Sequence, residues 1–386
     1  MSPSTMPPTL ARNICAMPSQ HAAMAMHSSP PSARRRRRLA TLAFALACAF
    51  APMAHAQDAS DPVAAGGTSP HAPTPWWTAF HERTLDLLLA DAASDRRADA
   101  TQRLARQART TSLYLEARVY STRLATARVM QHAAARQWAL LQQQRQADTD
   151  VARAVALLVR ETAAREHQFT VLRADSIVAL AESLDGRYPA EALAVILEPA
   201  LAERSLPVAE FGLPDAVSGL VLRQRPDVMA AEAGLVLSGR GGGLEQLRLA
   251  QYLQALSEEI RPAEAAATPV PVAVQGGDLA GVLQHARQEI AGRLGQLSTR
   301  GESANEQALY VRQLQAGYQQ ALQDFSAGHL GELELLSQLQ QVLVEEDRLA
   351  ATLGLAGLAW IAFEQSIGGA GQARTSDLLG AGSQDD

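Results

Sequence analysis

Leu222-Arg223-Gln224-Arg225-Pro226-Asp227-Val228-Met229-Ala230-Ala231-Glu232-Ala233-Gly234-Leu235 decides how this chain is read. Locally it predicts a helix start. Pro226 fits the first helical position, where a missing N–H costs nothing. Asp227 puts an acid in the first turn, where it complements the positive end of the helix. Arg223 and Arg225 carry planar guanidinium forks, which either hold carboxylates across a helix junction or lie exposed on the surface.

Working outward, the chain repeats itself. Residues 98–145 are rich in Ala, Arg and Gln and contain no Gly or Pro. Leu104, Ala108, Leu115, Val119, Met130, Ala134, Trp138 and Leu141 recur at three- and four-residue steps, which predicts a long amphipathic helix. A polar break follows at Asp148-Thr149-Asp150, where Thr149 or Asp150 can cap the next helix. That helix is expected to stop at Gly186 in a left-handed turn. The same plan returns about 180 residues later. Residues 279–325 show helical spacing from Leu283 to Phe325, Ala327-Gly328-His329-Leu330-Gly331 makes a turn, and a Leu-rich return helix runs to Gly368-Gly369. A helix of about 45 residues is about 70 Å long, more than a globular core needs.

Between the repeats, residues 187–278 are mixed. Residues 188–206 suggest a short helix, Phe211-Gly212-Leu213-Pro214 a turn and residues 244–260 another helix. Gly239-Arg240-Gly241-Gly242-Gly243 is a break without the spacing of a dinucleotide loop. Residues 262–277 form a Pro/Ala/Gly linker, with 270–274 the one plausible strand.

The N-terminus predicts export. Arg34 to Arg38 form a basic region, residues 39–51 an apolar run too short to span a bilayer, and Ala54-His55-Ala56 a small-residue cleavage site before Gln57. The alternative is a basic arm without an export role, and the leader's length makes Met26 a candidate start. Both cysteines, Cys15 and Cys48, fall within residues 1–56. Ala45-Leu46-Ala47-Cys48 resembles a lipoprotein box, making Cys48 the candidate for lipidation. Without the leader's six arginines, 28 basic residues face 40 acidic ones. That balance argues against nucleic-acid binding, which needs a basic face. The chain has no lysine, which excludes a phosphate-loop lysine and a lysine Schiff base. His71, His81, His132, His167, His285 and His329 are scattered, with no metal-ligand spacing. The acids Glu345, Glu346 and Asp347 read as a solvated face. No nucleophile–base pair is visible, so no enzyme, cofactor or metal site is expected.

The opening segment resembles the R-Q-R-P-D-I-x-x-A-E-x-x-L signature of TolC-like outer-membrane efflux proteins, especially the NodT-type outer components of tripartite pumps. Arg225, Pro226, Asp227 and Glu232 occupy its fixed positions, with Val228 in place of Ile. Phe325-x-x-Gly328, Leu330, Leu333, Leu335-Leu336 and Gly368-Gly369 are similar to the family's second hairpin. The similarity covers roughly residues 100–370. It implies a homotrimer with a helical periplasmic tunnel, an outer-membrane barrel of four strands per protomer, and hairpin tips (here Gly328, Leu330 and Gly331) that meet a periplasmic adaptor serving an inner-membrane pump. The barrel strands are not found in this sequence: each needs about 9–11 alternating residues.

The expected fold is therefore mostly α: two long antiparallel helical hairpins of the coiled-coil tunnel type, from an internal repeat, with barrel strands missing or degenerate. The expected organisation is a signal peptide at 1–56, a linker at 57–97, the first hairpin at 98–186, a connecting region at 187–278, the second hairpin at 279–369 and a disordered tail at 370–386. The expected function is an outer-membrane efflux channel component in a Gram-negative envelope. The alternative is a non-conducting periplasmic coiled-coil interaction protein.

Overall fold

The computed structural model describes residues 75–92, 99–143, 149–207, 215–237, 243–263 and 279–369. The leader, Cys48, Asp148 of the expected polar break, the candidate strand at 270–274 and the C-terminal tail lie outside them. Four long helices dominate. Helix α2 (Ala100–Gln143) and α3 (Thr149–Ser183) form one hairpin; α7 (Leu279–Ala327) and α8 (Glu332–Ser366) form the other. The four lie in the order α3, α2, α8, α7, so α2 and α8 are central and α3 and α7 are the edges.

The seam between the hairpins is antiparallel and tight. Arg123 of α2 binds Asp347 of α8, and Arg136 binds Glu332. A methyl group added at Gly354 would lie 2.7 Å from Val119, and one at Gly357 2.5 Å from Leu115. Small residues on α8 thus let two helix backbones approach closely. The Gln340 amide adds a buried hydrogen bond of 2.9 Å to the Met130 carbonyl.

Shorter elements pack where the hairpins end away from their tips: α1 (Arg83–Ala92), α4 (Ala190–Ala202), α5 (Pro226–Leu237) and α6 (Gly243–Ser257). Strand β1 (Val217–Ser218) pairs antiparallel with β2 (Glu259–Ile260), Val217 opposite Ile260. The end of the helix expected over 244–260 is thus drawn into a strand pair. The main core is here, and a smaller cluster of Leu124, Ala127 and Phe169 lies within the first hairpin.

Two sequence readings need correction. The stretch 57–97, read as a linker, contains a 3-10 turn at Trp76–Phe80 and α1. Trp76, Phe80, Leu85, Leu88 and Leu89 are all core residues. Apolar burial outweighs the Pro- and Ala-rich composition around them. The acids Glu345, Glu346 and Asp347 are not a solvated face. Asp347 is 9% exposed and is gripped by both ends of the Arg123 fork at 2.8 and 3.0 Å. Glu346 accepts a hydrogen bond from Gln315 of α7 at 2.8 Å.

Candidate functional site

The signature segment folds as its local chemistry predicts. A 3-10 turn (Gly219–Gln224) precedes an extended Arg225, and α5 starts at Pro226. The Arg225 fork takes both oxygens of Asp227, Nε to Oδ1 at 3.0 Å and an Nη to Oδ2 at 2.7 Å. The other Nη donates to Glu289 of α7 at 2.9 Å and to the Ser366 carbonyl at the end of α8 at 2.6 Å. Asp227 Oδ1 also accepts the Val228 amide at 2.8 Å. One side chain, 8% exposed, therefore ties α5 to both helices of the second hairpin. Burial pulls the Arg225 pKa down, but the hydrogen bonds and charges of Asp227 and Glu289 outweigh it and leave it raised. For Asp227 burial pushes upward, and the Arg225 contacts win and hold its carboxyl below the usual range.

The backbone closes the same clasp. Helix α8 ends with Gly368 N to Gln365 O and Gly369 N to Glu364 O, the paired bonds of a Schellman motif. Gly368 has φ +86° and lies so close to the signature that an added methyl would be 2.5 Å from the Gln224 carbonyl oxygen. Glu232 and Arg223 stand beside Tyr252 of α6; burial, then the Glu232 charge, raise that phenol's pKa. Arg225 and Asp227 thus form a joint between α5 and the second hairpin, while Glu232 stands beside Tyr252 of α6.

The second candidate is the tip of the second hairpin. Helix α7 ends in another Schellman motif, with Gly328 N to Phe325 O at 3.1 Å and His329 N to Asp324 O at 2.8 Å. Gly328 has φ +83°, so the expected left-handed turn is present. Gly331 caps α8 with extended backbone at φ −80°. Glu332 and Glu334 fill the first turn of α8, and Glu332 is held by the Arg136 fork at 2.6 and 3.0 Å. Methyl groups added at Gly328 or Gly331 would meet nothing within 4 Å. Gly328, Leu330 and Gly331 therefore form an open apex, far along the hairpin from the Arg225 clasp.

Sequence reasoning missed a third polar cluster. Arg118, 1% exposed, donates to the Ser205 carbonyl at 2.6 Å and pairs with Glu82 at 3.2 Å. The Tyr114 hydroxyl donates to Glu82 at 2.6 Å. Burial and Glu82 both push the Tyr114 hydroxyl pKa up. This cluster pins the start of α1 and the segment after α4 onto α2. Arg118 lies within an otherwise ordinary Ala/Arg helix, so nothing in the sequence marks it.

His81, His132, His167 and His329 are exposed, and His285 is half-buried. Among the described residues no group of three His, Cys, Asp or Glu side chains could hold a metal ion. No described helix is long and apolar enough to cross a membrane.

No family model matches the chain, and no curated protein matches it. Solved structures do. Crystal structures of CusC, described as following folding and transmembrane channel formation, align over 76% of this chain and 94% of that one, at 15% identity and a TM-score of 0.50. A membrane protein from Pseudomonas aeruginosa aligns over 79% and 99%, at 13% identity and a TM-score of 0.51. The expected fold class, mostly α with two long hairpins, is borne out. At these identities the likeness is one of fold.

Proposed function

We propose that this chain is the tunnel-forming outer component of an export pump in a Gram-negative envelope. Three copies close into a helical conduit at the outer membrane, which receives small molecules from an inner-membrane pump through a periplasmic adaptor. Conduction is passive and no residue does chemistry. The adaptor meets the open apex at Gly328, Leu330 and Gly331.

The observation that carries this reading is the pair of open edges. On α3, exposed positions step by three and four through Arg153, Leu157, Arg160, Ala164, His167, Val171, Ala174 and Val178. On α7 they do the same through Glu302, Glu306, Leu309, Gln313, Ala316, Gln320 and Gln323. That stepping marks one exposed face on each edge helix, which a helix of a neighbouring copy can cover. One edge on each side of the row suits head-to-tail association, which closes into a ring.

The contacts also suggest which residues meet. Phe169 of α3 lies under Arg123, Arg123 grips Asp347, and the adjacent Glu346 holds Gln315 of α7. Val171 and Gln313 are therefore level, and rotation about a ring axis brings level residues of neighbouring copies together. Val171→Cys combined with Gln313→Cys, with Cys15 and Cys48 replaced, should give disulfide-linked trimers. A linked dimer alone, or a monomer under oxidation, rejects the ring.

One observation favours a second reading, a periplasmic coiled-coil protein that does not conduct. The longest join between described elements is 261–278, between β2 and α7. Two membrane strands with their turn need about 20 residues or more. Fractionation and planar-bilayer recording separate the two. Outer-membrane retention after high-salt washing together with single-channel conductance supports the channel. Release with the periplasm and no conductance supports the second reading.

A further inference from the structure

The core contains two buried polar groups, neither with a partner among the described residues. They are Trp76 Nε1 and Glu364 Oε2, and neither makes a hydrogen bond to a described residue. They lie in one neighbourhood. Trp76 packs on Trp360 with ring centroids 5.7 Å apart, and Phe80 meets the same indole edge-on at 5.1 Å. Glu364 stands one turn beyond Trp360, on the same face of α8. Its main-chain oxygen accepts the Gly369 amide at 2.8 Å. A methyl added at Gly369 would lie 3.4 Å from Trp76 Nε1 and 2.7 Å from Leu104. Glu364 is thus a core residue beside this aromatic cluster, 2% exposed.

We propose that the Trp76–Phe80 turn is a latch keyed by the proton on Glu364: seated on α8 while the carboxyl is neutral, released when it ionises. A neutral carboxyl is tolerated in such a place; a bare carboxylate without a paired cation is not. The charged and titratable groups on the elements that meet here are His81 and Glu82 beside the latch, Asp86 on α1, Arg103 and Arg106 on α2, and Arg225 before α5. Glu82 is engaged by Tyr114 and Arg118, Arg106 by Asp185, and Arg225 by Asp227 and Glu289. Burial raises the Glu364 carboxyl, to about 8.

The latch is the part that yields. Helix α8 lies between α2 and α7, and its end is held by Arg225. The turn is five residues long, with Thr78 N to Pro75 O and His81 N to Thr78 O as its backbone bonds. Its seat is otherwise side-chain packing. Once the turn lifts, water reaches Glu364 and the carboxyl returns to its ordinary range. Seating then weakens about tenfold per pH unit between the ordinary glutamate pKa and the raised one.

Amide hydrogen exchange on the full chain between pH 5 and pH 8, corrected for intrinsic exchange, tests this. Protection of the Thr78 and His81 amides should fall about tenfold per pH unit, while amides in the middle of α8 keep theirs. Glu364→Gln should abolish the slope at Thr78 and His81, and Glu364→Met serves if the first variant does not fold. Parallel loss in the latch and mid-α8 overturns the proposal, as does an unchanged slope in either variant.

Discussion

At the scale of single residues, two glycines with nearly the same backbone angle separate local strain from packing. Gly328 and Gly368 both lie in the left-handed region, at φ +83° and +86°. Around Gly328 the space is open, whereas at Gly368 a methyl would meet the Gln224 carbonyl at 2.5 Å. Gly328→Ala should therefore cost only the left-handed penalty, about 1–2 kcal/mol. Gly328→Val should cost more, because a β-branched residue resists positive φ. Gly368→Ala carries the same penalty plus a backbone collision, and should cost at least about 3 kcal/mol. Urea denaturation of the variants checks the order; equal losses at the two glycines would mean that the clasp gives way easily. Arg225 is the matching case in a side chain. Arg225→Met leaves Asp227, Glu289 and the Ser366 carbonyl without their shared donor and should cost about 1–3 kcal/mol, because both carboxylates are partly solvated. Arg225→Lys should recover little, because an ammonium cannot reproduce the fork.

Between elements, the seam of α2 and α8 is where the two hairpins become one structure. Arg123 serves it twice, gripping Asp347 and lying 4.3 Å above the Phe169 ring of α3. Asp347→Asn should lower stability by about 1–3 kcal/mol, because a half-buried guanidinium loses its counter-charge. Exchanging the pair, Arg123→Asp with Asp347→Arg, should restore only part of the loss, since the stack on Phe169 is not rebuilt; full restoration in a double-mutant cycle would show that the stack contributes nothing. The long helices were legible because three- and four-residue spacing persists over many turns, and their Gly stops because positive φ has few other occupants. The seam was not legible. Arg123, Arg136, Asp347 and Glu332 look like the other charges on a helix surface, and only the pairing of two helices distant in sequence makes them partners. The same holds for Trp76 and α1, whose burial depends on α2 and α8 being in place. The signature residues could be recognised from sequence, but their role as a clasp rests on Glu289 and Ser366, which no local pattern connects to Arg225.

For the whole molecule, buried acids should set how stability depends on pH. Burial raises the carboxyls of Asp86, Glu116, Glu346 and Glu364, with Glu364 pushed to about 8. A carboxyl raised in the folded state keeps its proton after the unfolded chain has lost it, so the folded protein binds more protons and stability falls as pH rises. For Glu364 that loss spans the interval from the ordinary glutamate pKa to about 8. Asp227 works in the opposite sense: the Arg225 fork lowers its pKa, so its contribution is complete above the ordinary aspartate range and is lost as pH falls through the folded value. Asp227 is half-exposed, and solvent screening keeps its share small. Together these opposing limbs place maximum stability on the acid side of neutral, at about pH 4–5. Urea midpoints measured from pH 3 to pH 9 should rise to that maximum and then decline towards pH 8. Glu364→Gln should flatten most of the alkaline limb and raise stability at pH 8, by no more than the seated latch contributes. It should leave the acid limb in place, whereas Asp227→Asn should flatten that limb and lower stability at neutral pH. A maximum at or above neutral pH in the unaltered chain would show that Glu364 ionises in the folded state without loss of stability.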